Sequence, residues 1–138
     1  MKNIFILLFL SFTLAISCTS NQEKVAPEQV SSITSSHTNI SISEFNTSFA
    51  VPDSNTIILD VRTDQEYEAG SIPNSIQIDF LSPDFKSKVT QLDSTKTYIV
   101  YCQSGRRSTE ASKIMTQELG FTDIKNLEGG YSTWNKSE

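Results

Sequence analysis

Cysteine, histidine and basic residues are scarce in this chain: 138 residues hold two Cys, one His, and eleven Lys plus Arg against sixteen Asp plus Glu. Two cysteines cannot build the disulfide framework of a small exported domain. The single histidine, His37, has no Cys, Asp or second His beside it in the sequence and reads as a solvated linker residue rather than a metal ligand. No motif points to a metal, a nucleotide or an organic cofactor. The net charge of −5 makes nucleic acid a poor partner. The apolar stretch Ile4 to Phe12 is too short to cross a bilayer comfortably, and there is no internal repeat.

That stretch follows Lys2 and runs into the small-residue exit Ala15-Ile16-Ser17, so residues 1–17 read as an export signal. Ala15 to Cys18 resembles the lipobox of bacterial lipoproteins, which implies cleavage before Cys18 and lipidation of that residue. Residues 18–38 are rich in Ser, Thr, Asn and Gln and too poor in large apolar side chains to repay ordering, as expected of a flexible, lipid-anchored linker. The implied setting is the cell envelope, facing the periplasm or on the outer membrane, tethered to the membrane through lipid. Residues 39–138 then make one ordinary domain, with monomer the default state.

Within that domain, Ser41 with Glu44 reads as a capping box, and Ile42, Phe45 and Phe49 give a short helix running toward Pro52. Thr56 to Val61 is a continuous apolar run of strand length, which implies burial on both faces. Thr63 caps a helix that Gly70 ends, and Ser75 to Ile78 alternates as a half-buried strand. Ser82-Pro83-Asp84 predicts a helix start ahead of Phe85, Val89 and Leu92. Thr97 to Tyr101 is the next buried strand. Ser108 or Thr109 is expected to cap a helix burying Ala111, Ile114, Met115 and Leu119, followed by a last strand over 121–127, a Gly129-Gly130 turn and a terminal helix near Trp134. Met115 and Trp134 fall on helical apolar faces and read as core. Strands alternating with helices at this spacing predict an α/β fold with a small central parallel sheet flanked by helices.

Cys102 ends a buried strand and is followed by Gln103-Ser104-Gly105-Arg106-Arg107-Ser108 and a helical pattern. Such a turn aims backbone N–H groups, a helix dipole and two guanidinium groups at one sulfur, favouring an ionised, accessible thiolate, the reactive form of cysteine. A Cys18–Cys102 disulfide is the bland alternative; it would close a loop through a floppy segment and block both chemistries.

Three stretches resemble one family. Leu59-Asp60-Val61-Arg62 with Glu66-Tyr67 and Gly70 to Ser75, then Val100 to Ser108, then Leu127 to Trp134, are similar to the rhodanese homology domain. The resemblance implies a three-layer rhodanese-like fold and a sulfurtransferase in which Cys102 carries sulfane sulfur as a persulfide. The donor would be a small sulfur-containing anion such as thiosulfate or a protein persulfide, and the acceptor a thiol or cyanide. Gln103, Ser104, Gly105, Arg106 and Arg107 would form the substrate-binding cradle, with Asp60, Arg62 and Ser108 in support. The chain departs from the family where Gly70-Ser71-Ile72-Pro73-Asn74-Ser75 replaces the common Gly-His-Ile-Pro-Gly-Ala, which puts local packing in doubt. Two other readings compete. A phosphatase or arsenate reductase also pairs a loop cysteine with an arginine, but four residues lie between Cys102 and Arg107 where the related phosphatase loops have five. A non-catalytic docking or sulfur/redox-sensing module is the alternative from another class.

Overall fold

A computed structural model describes residues 37–137, so Cys18, the export signal and most of the linker lie outside the described residues. Five parallel strands form one sheet in the order β1-β5-β4-β2-β3: β1 (Thr38–Ile40), β2 (Thr56–Asp60), β3 (Ser75–Gln77), β4 (Thr97–Tyr101) and β5 (Asp123–Leu127). The helices are α1 (Ile42–Ser48), α2 (Asp64–Glu68), α3 (Phe85–Val89), α4 (Arg106–Gln117) and α5 (Gly130–Ser137). None of these is long and apolar enough to cross a membrane.

Strand alternation splits the core into two layers. Leu59, Val61, Tyr98, Val100 and Cys102 point to one side and pack with Phe85, Val89, Ala111 and Met115 of α3 and α4. Ile58, Ile99 and Tyr101 point to the other side and pack with Phe45, Tyr131 and Trp134 of α1 and α5. The uninterrupted apolar runs of β2 and β4 thus have the cause expected for them, burial on both faces. Met115 is fully buried; Trp134 is half-buried and lies against Tyr131 with ring centroids 5.7 Å apart.

Chain order decides where a site forms. From β2 the chain moves outward to β3, and from β4 it moves the opposite way to β5, so the two connections part between adjacent strands at their carboxyl ends. Open α/β sheets bind ligands at such a point. Asp60 and Tyr101 pair there in register, so just beyond the sheet Val61 lies beside Cys102 and Arg62 reaches Gln103.

Several boundaries differ from those expected. β1 was not anticipated; its three residues hold a single buried side chain, Ile40, and its ladder is supplied by β5. α3 begins at Phe85 after an Asp84 cap, because Ser82 instead turns the chain, its hydroxyl donating to the Asp84 carboxylate and its carbonyl accepting from Phe85 N–H. α4 starts at Arg106 rather than after Ser108 or Thr109: Gly105 adopts φ 95°, which brings the chain straight into the helix. The hydroxyls of Ser108 and Thr109 then donate back to the Gly105 carbonyl at 2.9 and 2.8 Å. The last strand begins at Asp123, since Phe121 N–H is drawn to the Met115 carbonyl at the end of α4.

The segment that departs from the common family pattern is well held. Asn74 occupies a left-handed conformation, φ 64°, which asparagine tolerates better than most side chains. Tyr101 Oη accepts from Ile72 N–H at 3.1 Å and lies 3.1 Å from Ser75 Oγ, so β4 itself anchors the loop. Burial pushes the Tyr101 phenol above its ordinary range, leaving it neutral and able to hold both partners. Tyr101→Phe leaves the buried Ile72 N–H without its acceptor, and urea unfolding is expected to show a loss of about 1–3 kcal/mol.

Candidate active site

The sulfur of Cys102 sits inside the turn between β4 and α4. Gly105 N–H donates to Sγ at 3.2 Å and Ser108 Oγ lies 3.6 Å away, within reach for a sulfur acceptor. Burial alone would push the thiol pKa up, but the N–H and hydroxyl of Ser108 and the N–H groups of Ser104 and Gly105 hold it below its ordinary value. A ring of donors at the start of a twelve-residue helix is a built anion site, and its occupant is the protein's own sulfur.

Accessibility departs from expectation. Cys102 is 1% exposed, with apolar neighbours in the α3 and α4 layer. Its sulfur lies at the floor of the loop beneath the exposed residues Ser104 and Arg106.

The loop's carbonyls are tied down from the opposite side. Tyr131 N–H donates to the Cys102 carbonyl at 2.8 Å and Ser132 N–H to that of Gln103 at 3.0 Å, so the first turn of α5 satisfies the outer edge of the loop. This packing leaves no room at Gly130, where a Cβ would overlap the Cys102 carbonyl oxygen and meet the Gln103 carbonyl carbon at 3.0 Å. The glycine that opens α5 is therefore a requirement of the cysteine loop.

Asp60 and Arg62 form a buried fork with a shortest contact of 2.7 Å, 0% and 1% exposed respectively. Arg62 also donates to the Gly70 carbonyl at 2.6 Å and to Gln103 Oε1 at 3.3 Å, and its guanidinium lies 4.0 Å from the centre of the Tyr131 ring. Gln103 Nε2 in turn donates to Ser132 Oγ at 2.8 Å. Asp60 and Arg62 thus lie next to the cysteine loop, and the Gln103 side chain is engaged by Arg62 and Ser132.

The two loop arginines separate. Arg106 is exposed and makes no ion pair among the described residues. Arg107 is gripped by Glu66, with Nη1–Oε2 2.8 Å and Nη2–Oε1 2.6 Å. Hydrogen bonding to Arg107 pulls the Glu66 carboxyl down to about 2. Sequence reasoning missed Glu66, Tyr131 and Ser132 as site residues. The one available signal was the spacing of Thr63 and Glu66, which form a complete capping box on α2.

Gly130→Ala must push the Cys102 carbonyl aside in a backbone region hostile to side chains. The expected cost is about 2 kcal/mol in denaturant unfolding.

The rhodanese-like domain model matches residues 48–137. The chain is 35% identical over 89 residues to thiosulfate sulfurtransferase 16, chloroplastic, of Arabidopsis thaliana, covering 57% of this chain and 73% of that one. It is 31% identical over 125 residues to an adenylyltransferase and sulfurtransferase of Debaryomyces hansenii, covering 84% of this chain but 25% of that protein. The crystal structure of a rhodanese-related protein from Thermoplasma volcanium superposes with a TM-score of 0.60 at 29% identity, over 72% of this chain and 92% of that one. The sheet, the cysteine loop and these likenesses agree: the chain belongs to the rhodanese-like domain family, whose relatives include sulfurtransferases.

Proposed function

We propose that the protein is a sulfurtransferase in which Cys102 carries sulfane sulfur as a persulfide between a donor and a thiol or cyanide acceptor. The observation that supports this most is the hydrogen bond from Gly105 N–H to Sγ, which together with the neighbouring loop donors holds the thiol pKa below its ordinary value despite burial. With thiosulfate as donor, the thiolate attacks the outer sulfur, an S–S bond to Cys102 forms, the bond to the sulfonate breaks and sulfite leaves with its electron pair. The acceptor then attacks the terminal sulfur of the persulfide and Cys102 departs as a thiolate. The same N–H groups that hold the thiolate serve the anion in each state. The exposed Arg106 is the loop cation open to direct contact with a bound donor.

The sulfur-transfer reading includes an exported, lipid-anchored protein in the cell envelope, supported by the sequence of residues 1–18. One observation favours the second reading, a docking or sensing module: Cys102 is only 1% exposed in the resting loop. Turnover separates the two. Purified protein given thiosulfate and cyanide is expected to release thiocyanate, and Cys102→Ser to fall to the uncatalysed background. Equal rates in the two proteins contradict sulfur transfer through this residue.

A further inference from the structure

Arg107 occupies the position in the loop where a cation would meet an incoming anion, yet its charge is already engaged. Both outer guanidinium nitrogens are held by the two oxygens of Glu66. Glu66 does not depend on Arg107 for its placement: Thr63 N–H and Oγ1 each donate to Oε2 at 3.0 Å, locking the carboxylate at the start of α2. The other anionic groups close enough to act on Arg107 are Cys102 and Asp79. Arg107 therefore already has three anionic groups acting on it, Glu66 by direct contact, and the exposed Arg106 is the loop cation without an ion pair among the described residues.

We propose that Glu66 is a specificity-determining residue of the Cys102 loop: by holding both outer nitrogens of Arg107 it withholds that charge from a bound anion. A small dianion such as thiosulfate is then disfavoured against a donor whose terminal sulfur is carried on a larger, less charge-dense thiol. The idea rests on the sulfur-transfer reading for its biological sense, but the hold on an anion is measurable without turnover.

Glu66→Gln is the informative change. Glutamine removes the negative charge yet still fills the capping-box position, so α2 keeps its start. Binding of thiosulfate to Cys102→Ser, followed by calorimetry, is expected to tighten about threefold to tenfold when Glu66→Gln is added. In turnover the KM for thiosulfate is expected to fall while that for cysteine hydropersulfide moves little, shifting the donor preference toward thiosulfate. A second measurement needs no Glu66 variant: thiosulfate binding to Cys102→Ser should change by less than about twofold between roughly 20 and 200 mM salt, because the mouth has little net positive field to screen. Unchanged or weaker binding in the Glu66→Gln protein, or a steep loss of affinity with salt in its parent, overturns the proposal. Absence of thiocyanate with either donor contradicts sulfur transfer instead, and leaves the calorimetric result to decide the role of Glu66.

Discussion

The donors of one turn oppose burial for control of one sulfur atom: the main-chain N–H groups of Ser104, Gly105 and Ser108, with the Ser108 hydroxyl, whose single proton is shared between Sγ and the Gly105 carbonyl. Burial alone would raise the pKa of the thiol and keep it protonated and inert; these donors outweigh it and hold the pKa below its ordinary value. Much of the surrounding architecture follows from this arrangement. The donors converge because the chain leaves β4 and enters α4 through a single left-handed glycine, and a larger residue at position 105 would be strained there. The outward-facing carbonyls of the same turn need partners, and the first turn of α5 provides them.

A layer of buried polar side chains carries the loop. Replacing a buried ion pair by apolar groups often leaves stability unchanged or raised, so the Asp60–Arg62 fork is poorly explained as a stability device. Its geometry explains it better. Arg62 reaches three places at once: the end of β2 through Asp60, the carbonyl of Gly70 and the side chain of Gln103. From Gln103 the contact continues to Ser132 on α5. One guanidinium thus fixes the spacing of the loops that border the sulfur, and the flat Tyr131 ring beneath it limits how it can shift.

What the sequence made legible was local. The apolar runs of β2 and β4 identified strands buried on two faces, and Cys102 followed by a glycine-containing loop and a helical pattern marked the strand–turn–helix that surrounds the sulfur. Thr63 was read correctly as a cap because a threonine ahead of a helical pattern is a local signal. Features that depend on tertiary partners were not legible. β1 has too little apolar character of its own and exists by pairing with β5. The start of α4 was placed too late because serine and threonine are good caps, whereas the turn geometry at Gly105 admits the chain to the helix earlier and makes both hydroxyls first-turn donors. Gln103 and Arg107 were both assigned to the substrate cradle from their place in the loop. Their partners, Arg62 and Glu66, lie 41 residues away in each case, and no local pattern announces such contacts.

The most direct measurement is the pH dependence of alkylation at Cys102 by iodoacetamide, followed by mass analysis of the peptide that contains it. A thiol held below its ordinary value gives a rate profile whose midpoint lies below that of a free cysteine thiol measured under the same conditions. A midpoint at or above that value would mean that burial prevails over the loop donors, and would contradict the thiolate on which the account depends.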